Sequence, residues 1–230
     1  MGFQRDILDH GYLKVIETWG SDQRIIEAAR MSVQGGFKGW GTPEAPGDEK
    51  LLAFLYRNNH STPFEMAGAI IEAQAPIVVF REWHRHRTQA FSEASARYSP
   101  LPDTNYIPTL ARTLQTQAGN KQAQGTGAVL TDKAAIEWLS HLDEAYRFAE
   151  EVYQEGLSLG VPKELARLCV PVGRYSKMRA SANLRNWLGF LTLREAPNAQ
   201  EEIRLYANAM HDALTETFPR TMALFSERAS

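Results

Sequence analysis

The sequence predicts a mixed α/β (α+β) domain, rich in helix, on three observations. Residues 12–18 (Tyr-Leu-Lys-Val-Ile-Glu-Thr) alternate as a strand does, and residues 67–73 form a short, near-continuous apolar run. Several later stretches carry apolar residues at helical spacing behind a capping side chain. The 230 residues, 43% hydrophobic and 23% charged, can build one sizeable core but are short for two, so a single domain over 1–230 is expected.

Taken in order, Ser21 is placed to cap a helix carrying Ile25, Ile26, Ala28 and Ala29. The Gly/Pro-rich stretch 35–47 reads as a loop. Asp48 then caps a helix through Leu51, Leu52, Phe54 and Leu55, which must stop before Thr62-Pro63. After the strand at 67–73, Pro76 suits the first position of a helix that puts Ile77, Phe80 and His84 on one face and runs to about Arg85. Residues 115–126 are polar and Gly-bearing, the composition of a mobile loop.

Thr131 is expected to cap the longest helix, with Ile136, Leu139, Leu142, Ala145, Val152 and Tyr153 as its apolar stripe. Pro162 opens a short helix closed by Pro171. Asn183 caps a helix of Trp187, Leu188, Phe190, Leu191 and Leu193. Asn198 with Glu201 starts the last helix, over 203–218.

Net charge is −2, so no global field recruits nucleic acid or anionic lipid. No apolar run is long enough for a membrane span, and residues 1–6 lack the basic and apolar pattern of a secretory leader, which points to the cytoplasm. One cysteine excludes a disulfide framework or a Cys-rich zinc module. The arginines are clustered, however. Arg81, Arg85, Arg87 and Arg97 form one group, and Lys163, Arg167, Arg174, Lys177, Arg179 and Arg185 a second. Guanidinium forks match phosphate oxygens bidentately, so the clusters suggest pockets for small anions.

Arg85-His86-Arg87, then seven residues, then Ser95, is the densest polar constellation. It falls where an apolar helix ends, and the small residues Ala94, Ser95 and Ala96 would let backbone N–H groups approach an anion. A helix end whose cations answer its macrodipole is the competing explanation. Ser95 has no base beside it in sequence, so a positioning hydroxyl fits better than a nucleophile. His84, His86 and His60 do not make a metal site, because Arg85 would repel a cation and no carboxylate pair accompanies them.

Arg-His-Arg-x7-Ser resembles the signature of the flavin-dependent thymidylate synthases. His60-Ser61-Thr62-Pro63-Phe64-Glu65, the helix from Ala75-Pro76-Ile77 to Trp83, Val161 to Arg167, Asn183-Leu184-Arg185 and Leu191 to Arg194 are similar to that family's other blocks in order and spacing. The likeness runs from about residue 7 to 225. It implies a central sheet flanked by helices and a homotetramer whose active sites are shared between subunits. It also implies methylation of C5 of dUMP, with methylenetetrahydrofolate as carbon donor and NADPH-reduced FAD as hydride source.

Carried over by position, Glu82, Trp83, His84, Arg85, Glu93, Ala94, Ser95, Ala96, Arg97 and Arg167 fall on dUMP contacts. Thr62, Arg85, His86, Arg87, Glu93, Asn183, Leu184, Arg185 and Gly189 fall on FAD positions. Arg194 matches the arginine set against the uracil N3–C4=O edge, where a fixed cation would stabilise charge developing at N3 and O4. No enzyme thiolate is then needed, and Cys169, between Leu168 and Val170, suits a buried inert thiol. The chain departs from the family pattern at Met66, Ala90, Ser92, Gly189 and 178–181, on the flavin and folate side. Two alternatives follow: the same chemistry on UMP, or a non-catalytic flavin- or nucleotide-binding paralogue.

Overall fold

A computed structural model describes residues 2–42, 44–115 and 130–229; most of the loop expected at 115–126 lies outside them. Five strands form one antiparallel sheet: β1 (Gln4–Ile7), β2 (Gly11–Trp19), β3 (Gly68–Pro76), β4 (Ala90–Glu93) and β5 (Tyr175–Asn183), in spatial order β1-β2-β3-β5-β4. The helices are α1 (Asp22–Arg30), α2 (Glu49–Arg57), α3 (Ile77–Trp83), α4 (Leu110–Leu114), α5 (Asp132–Ser158), α6 (Lys163–Ala166), α7 (Leu184–Arg194), α8 (Glu201–Thr217) and α9 (Pro219–Ala229). The mixed α+β class is as the sequence predicts. Among the described residues no helix is long and apolar enough to cross a membrane.

One face of the sheet is the core. Ala69, Ile71, Ala73 and Ala75 of β3 and Met178, Ala180 and Ala182 of β5 alternate onto it, all buried. The alanines keep the surface low, so that Phe80 and Trp83 of α3, Trp187 and Phe190 of α7, and Tyr206 and Met210 of α8 pack close against it. Gly11 is part of this fit. A Cβ there would lie 2.1 Å from the Tyr206 hydroxyl, which donates to the Gln74 carbonyl at 2.6 Å. On the other face Tyr12 and Arg179 both donate to Glu72, at 2.9 and 3.1 Å.

The expected caps hold at three helix starts. Ser21, Thr131 and Asn183 accept the N–H groups of Arg24, Ala134 and Asn186 at 3.2, 3.3 and 3.0 Å. Asp48 stands at the start of α2 but caps nothing; its carboxylate takes Arg30 and, at 2.7 Å, the Lys38 N–H.

Other boundaries shift. Pro76 ends β3 rather than beginning α3, and α3 stops at Trp83 instead of Arg85. Gln200, not Asn198, occupies the N-cap position of α8, and α9 follows it. The strands β1, β4 and β5 and the helix α4 were not expected from the sequence. The stripe on α5 is largely open: Tyr153 is buried, but Ile136 is 56% and Val152 39% exposed.

Candidate active site

The end of α3 organises the site. His84, Arg85 and His86 donate their N–H groups to the carbonyls of Phe80, Glu82 and Trp83, so the chain coils tightly before β4. The Trp83 indole is fully buried, stacked on Phe190 at 4.8 Å and bonded to Gln89 at 3.0 Å. That anchor aims Glu82 and His86 toward the end of α7, where Arg194 meets them. Arg194 Nε donates to His86 Nε2 at 2.8 Å; Nη1 reaches the Glu82 carboxylate and Nη2 the Glu82 carbonyl, both at 2.8 Å. A guanidinium has five N–H donors, so two remain for a ligand.

His86 can accept this bond only as neutral imidazole. Burial, then the Arg194 cation, pull its pKa down to about 4, against a smaller opposing effect of Glu82. In the unfolded chain it titrates near 6.5. The folded state therefore resists a proton that the unfolded state takes up. This contribution to stability is complete above pH 6.5 and shrinks as pH falls toward 4, by at most about 1.4 kcal/mol per pH unit. The expected NMR titration of the His86 ring has its midpoint near 4; a midpoint above about 6 would show that Arg194 is not held this way.

Beside this node an open cleft of ≈ 540 Å³ runs between α3, the segment after β4 and the short helical turns before β5. Its polar side is Arg81, His84, Glu93, Ser95 and Arg167, and Ile77, Phe80, Leu101, Leu168 and Val172 line the apolar side. The Ala94 N–H donates to Lys177 O at 2.8 Å, which ties the 93–97 segment to β5. Among the described residues, no carboxylate pairs with Arg81, Arg85, Arg87 or Arg167. Arg97 lies over the Tyr98 ring at 5.6 Å and does not line the cleft.

Three further cations of the second cluster, Arg174, Arg179 and Arg185, are paired with carboxylates instead of standing free for an anion. Arg174 is fully buried and paired with Glu150 at 2.5 Å and Asp103 at 3.3 Å. Arg179 pairs with Glu72 and Arg185 with Glu65.

A second concavity opens across α7. Two contiguous hollows of ≈ 510 and ≈ 200 Å³ share Leu55, Asn59, His60, Ser61 and Arg185. Thr62 lines the first, and Gly189 and Thr192 the second. A Cβ at Gly189 would meet open space, so the glycine leaves an unfilled bay beside the groove. The groove and the cleft share no lining residue.

Thus the structure gathers His84, Glu93, Ala94, Ser95, Ala96 and Arg167 in the cleft, Thr62, Arg185 and Gly189 in the groove, and Glu82, His86 and Arg194 in the node. The exposed Arg85 and Arg87 line neither concavity. Trp83 and Leu184 are core side chains, which leaves only their backbone groups to meet a ligand, and the Asn183 side-chain oxygen is taken up as a cap. Cys169 is half-buried rather than buried, its thiol directed at Ala149 O and Ala166 O at 3.4 and 3.3 Å. Sequence reasoning placed Arg81 in an anion-binding cluster though not among the nucleotide contacts, and missed Ser176 and the apolar side of the cleft. Ser176 carried no signal.

A family model described as thymidylate synthase complementing protein matches residues 14–220. A flavin-dependent thymidylate synthase from Thermus thermophilus is 37% identical over 96% of this chain and 77% of its own. The crystal structure of a UMP/dUMP methylase from Streptomyces cacaoi bound with 5-Br dUMP superposes with a TM-score of 0.83 at 30% identity, covering 97% of both chains. The same methylase bound with 5-Br UMP gives 0.81 at 28% identity, covering 96% of both. Sequence and fold agree over nearly the full length, and the chain belongs to the thymidylate synthase complementing protein family.

Proposed function

We propose that this protein is a flavin-dependent thymidylate synthase acting on dUMP. In the reaction, methylenetetrahydrofolate gives its one-carbon unit to C5 and leaves as tetrahydrofolate, the C5 hydrogen departs as a proton, and NADPH supplies the two reducing electrons. The observation that carries this reading is the Arg194 node, a cation oriented by three hydrogen bonds with two donors to spare. Arg194 would stabilise negative charge at uracil N3 and O4, which strengthens C5 as the carbon nucleophile. Glu82 and neutral His86 hold the guanidinium in place, and Arg81 and Arg167 supply positive charge for the phosphate in the neighbouring cleft.

The groove fits FAD. Arg185, His60, Asn59 and Thr62 offer donors for a pyrophosphate, and the open bay at Gly189 admits a flat ring. Bound there and reduced by NADPH, FAD would supply the hydride. Because cleft and groove share no lining residue, the complete site would be shared between subunits of a cytoplasmic homotetramer, with the open α5 stripe covered on assembly. The likeness to a methylase bound with 5-Br UMP favours UMP as a second substrate.

Purified protein supplied with FAD should be yellow, bleach with NADPH under anaerobic conditions, and release tritium from [5-³H]dUMP when methylenetetrahydrofolate is present. Flavin binding without tritium release would leave a non-catalytic paralogue, and a large preference for [5-³H]UMP would overturn the substrate assignment. Light scattering that gives a monomer at working concentration would sink the shared site.

A further inference from the structure

Ser176 is a buried serine on the core face of β5, where its neighbours along β5 and β3 are Met178, Ala180 and Ala75. Ala75 lies directly across from it. Alanine would satisfy the packing at such a place. Ser176 is only 4% exposed, yet its Oγ has no hydrogen-bond partner among the described residues. An orphaned buried hydroxyl is destabilising, and a native chain keeps one where something else supplies the partner. Ser176 lines the cleft. Arg81 and Arg167, two of the cations that have no carboxylate partner among the described residues, line the same cleft.

We propose that Ser176 Oγ donates a hydrogen bond to a phosphoryl oxygen of the nucleotide monophosphate bound in this cleft, alongside Arg81 and Arg167. The inference rests on the nucleotide reading above and adds a positioning residue to it. An anionic oxygen is the fitting partner because the free charges on Arg81 and Arg167 would concentrate an anion there, and a hydroxyl shielded from water donates best to a charged acceptor. The register reinforces the geometry. Lys177, the next residue of β5, holds Ala94 by its carbonyl, so β5 sets Ser176 and the 93–97 wall together.

The test is calorimetric titration of the full-length protein with dUMP and, separately, with deoxyuridine, comparing wild type with Ser176→Ala and Ser176→Thr. Losing a hydrogen bond to a charged group should weaken dUMP binding of the alanine variant roughly tenfold to hundredfold. Deoxyuridine binding should be unchanged, and threonine should bring dUMP affinity back to within about threefold, by keeping the hydroxyl. Thermal unfolding without nucleotide gives the second readout: the alanine variant should be at least as stable as wild type, because it removes an orphan. Equal dUMP affinity in wild type and alanine variant overturns the assignment and leaves the nucleotide reading intact. An equal loss for deoxyuridine also overturns it, because the hydroxyl would then meet the base or sugar. A wild-type protein that takes up no dUMP sinks the nucleotide reading and this assignment with it.

Discussion

Replacing Arg194 with alanine should lower turnover of dUMP about a hundredfold to a thousandfold while the dUMP dissociation constant moves only a few-fold. The guanidinium is held on three sides, by the carboxylate and carbonyl of Glu82 and the ring of His86, before any ligand arrives. A group held this rigidly has little reorganisation left to make as charge builds on the uracil, so most of its effect falls on the transition state. The fold should survive the change. The Glu82 side chain is 42% exposed and stays hydrated without its partner. His86 loses a bond that it only accepts, and with the cation gone its pKa should rise from about 4 toward the ordinary imidazole value. Turnover and binding that fall by the same factor would make Arg194 a docking group instead.

The largest stability effect is expected at Arg174. Its guanidinium is wholly buried, with Nη2 on Glu150 at 2.5 Å, Nη1 on Pro102 O at 3.0 Å and Nε on Asn105 Oδ1 at 3.1 Å. These bonds staple the 102–105 loop and the middle of α5 to the start of β5, just behind Leu101 in the cleft wall. Arg174→Met strands Glu150, whose side chain is 15% exposed, at a cost of about 3–5 kcal/mol. For a chain of this size the fall in Tm is on the order of 10 °C. Adding Glu150→Gln removes the unpaired charge and should recover part of that loss. A single-variant cost below about 1 kcal/mol would mean that water reaches Glu150 and that the staple is unnecessary.

Much of the architecture was legible because it is locally encoded. Ser21, Thr131 and Asn183 cap a backbone N–H three residues on, so the side chain and its partner stand in one short window. The strand at 67–73 shows its burial in its own composition, and the alternation at 12–18 marks a strand although within it only Leu13 is buried. β5 was obscured because Lys177 and Arg179 on its open face drew attention as charge, while Ala180 and Ala182 on its core face are too small to give a strong apolar rhythm. The one-residue boundary error at the start of α3 arose from Pro76, whose φ of −58° suits a helix start, while its ψ of 142° keeps it in the strand.

From the sequence alone came the α+β class, most of the long elements, the family likeness and the cast of arginines. Only the tertiary structure decided which of those cations are free. Arg194 meets Glu82 across 112 positions of chain, Arg185 meets Glu65 across 120, and Arg174 meets Glu150 across 24. A cap or an amphipathic stripe is a relation between near neighbours, written in the order of residues. A neutralised charge, or a hydroxyl such as that of Ser176 left without a partner, is a relation of distance and burial between segments that meet only when the sheet and its helices close.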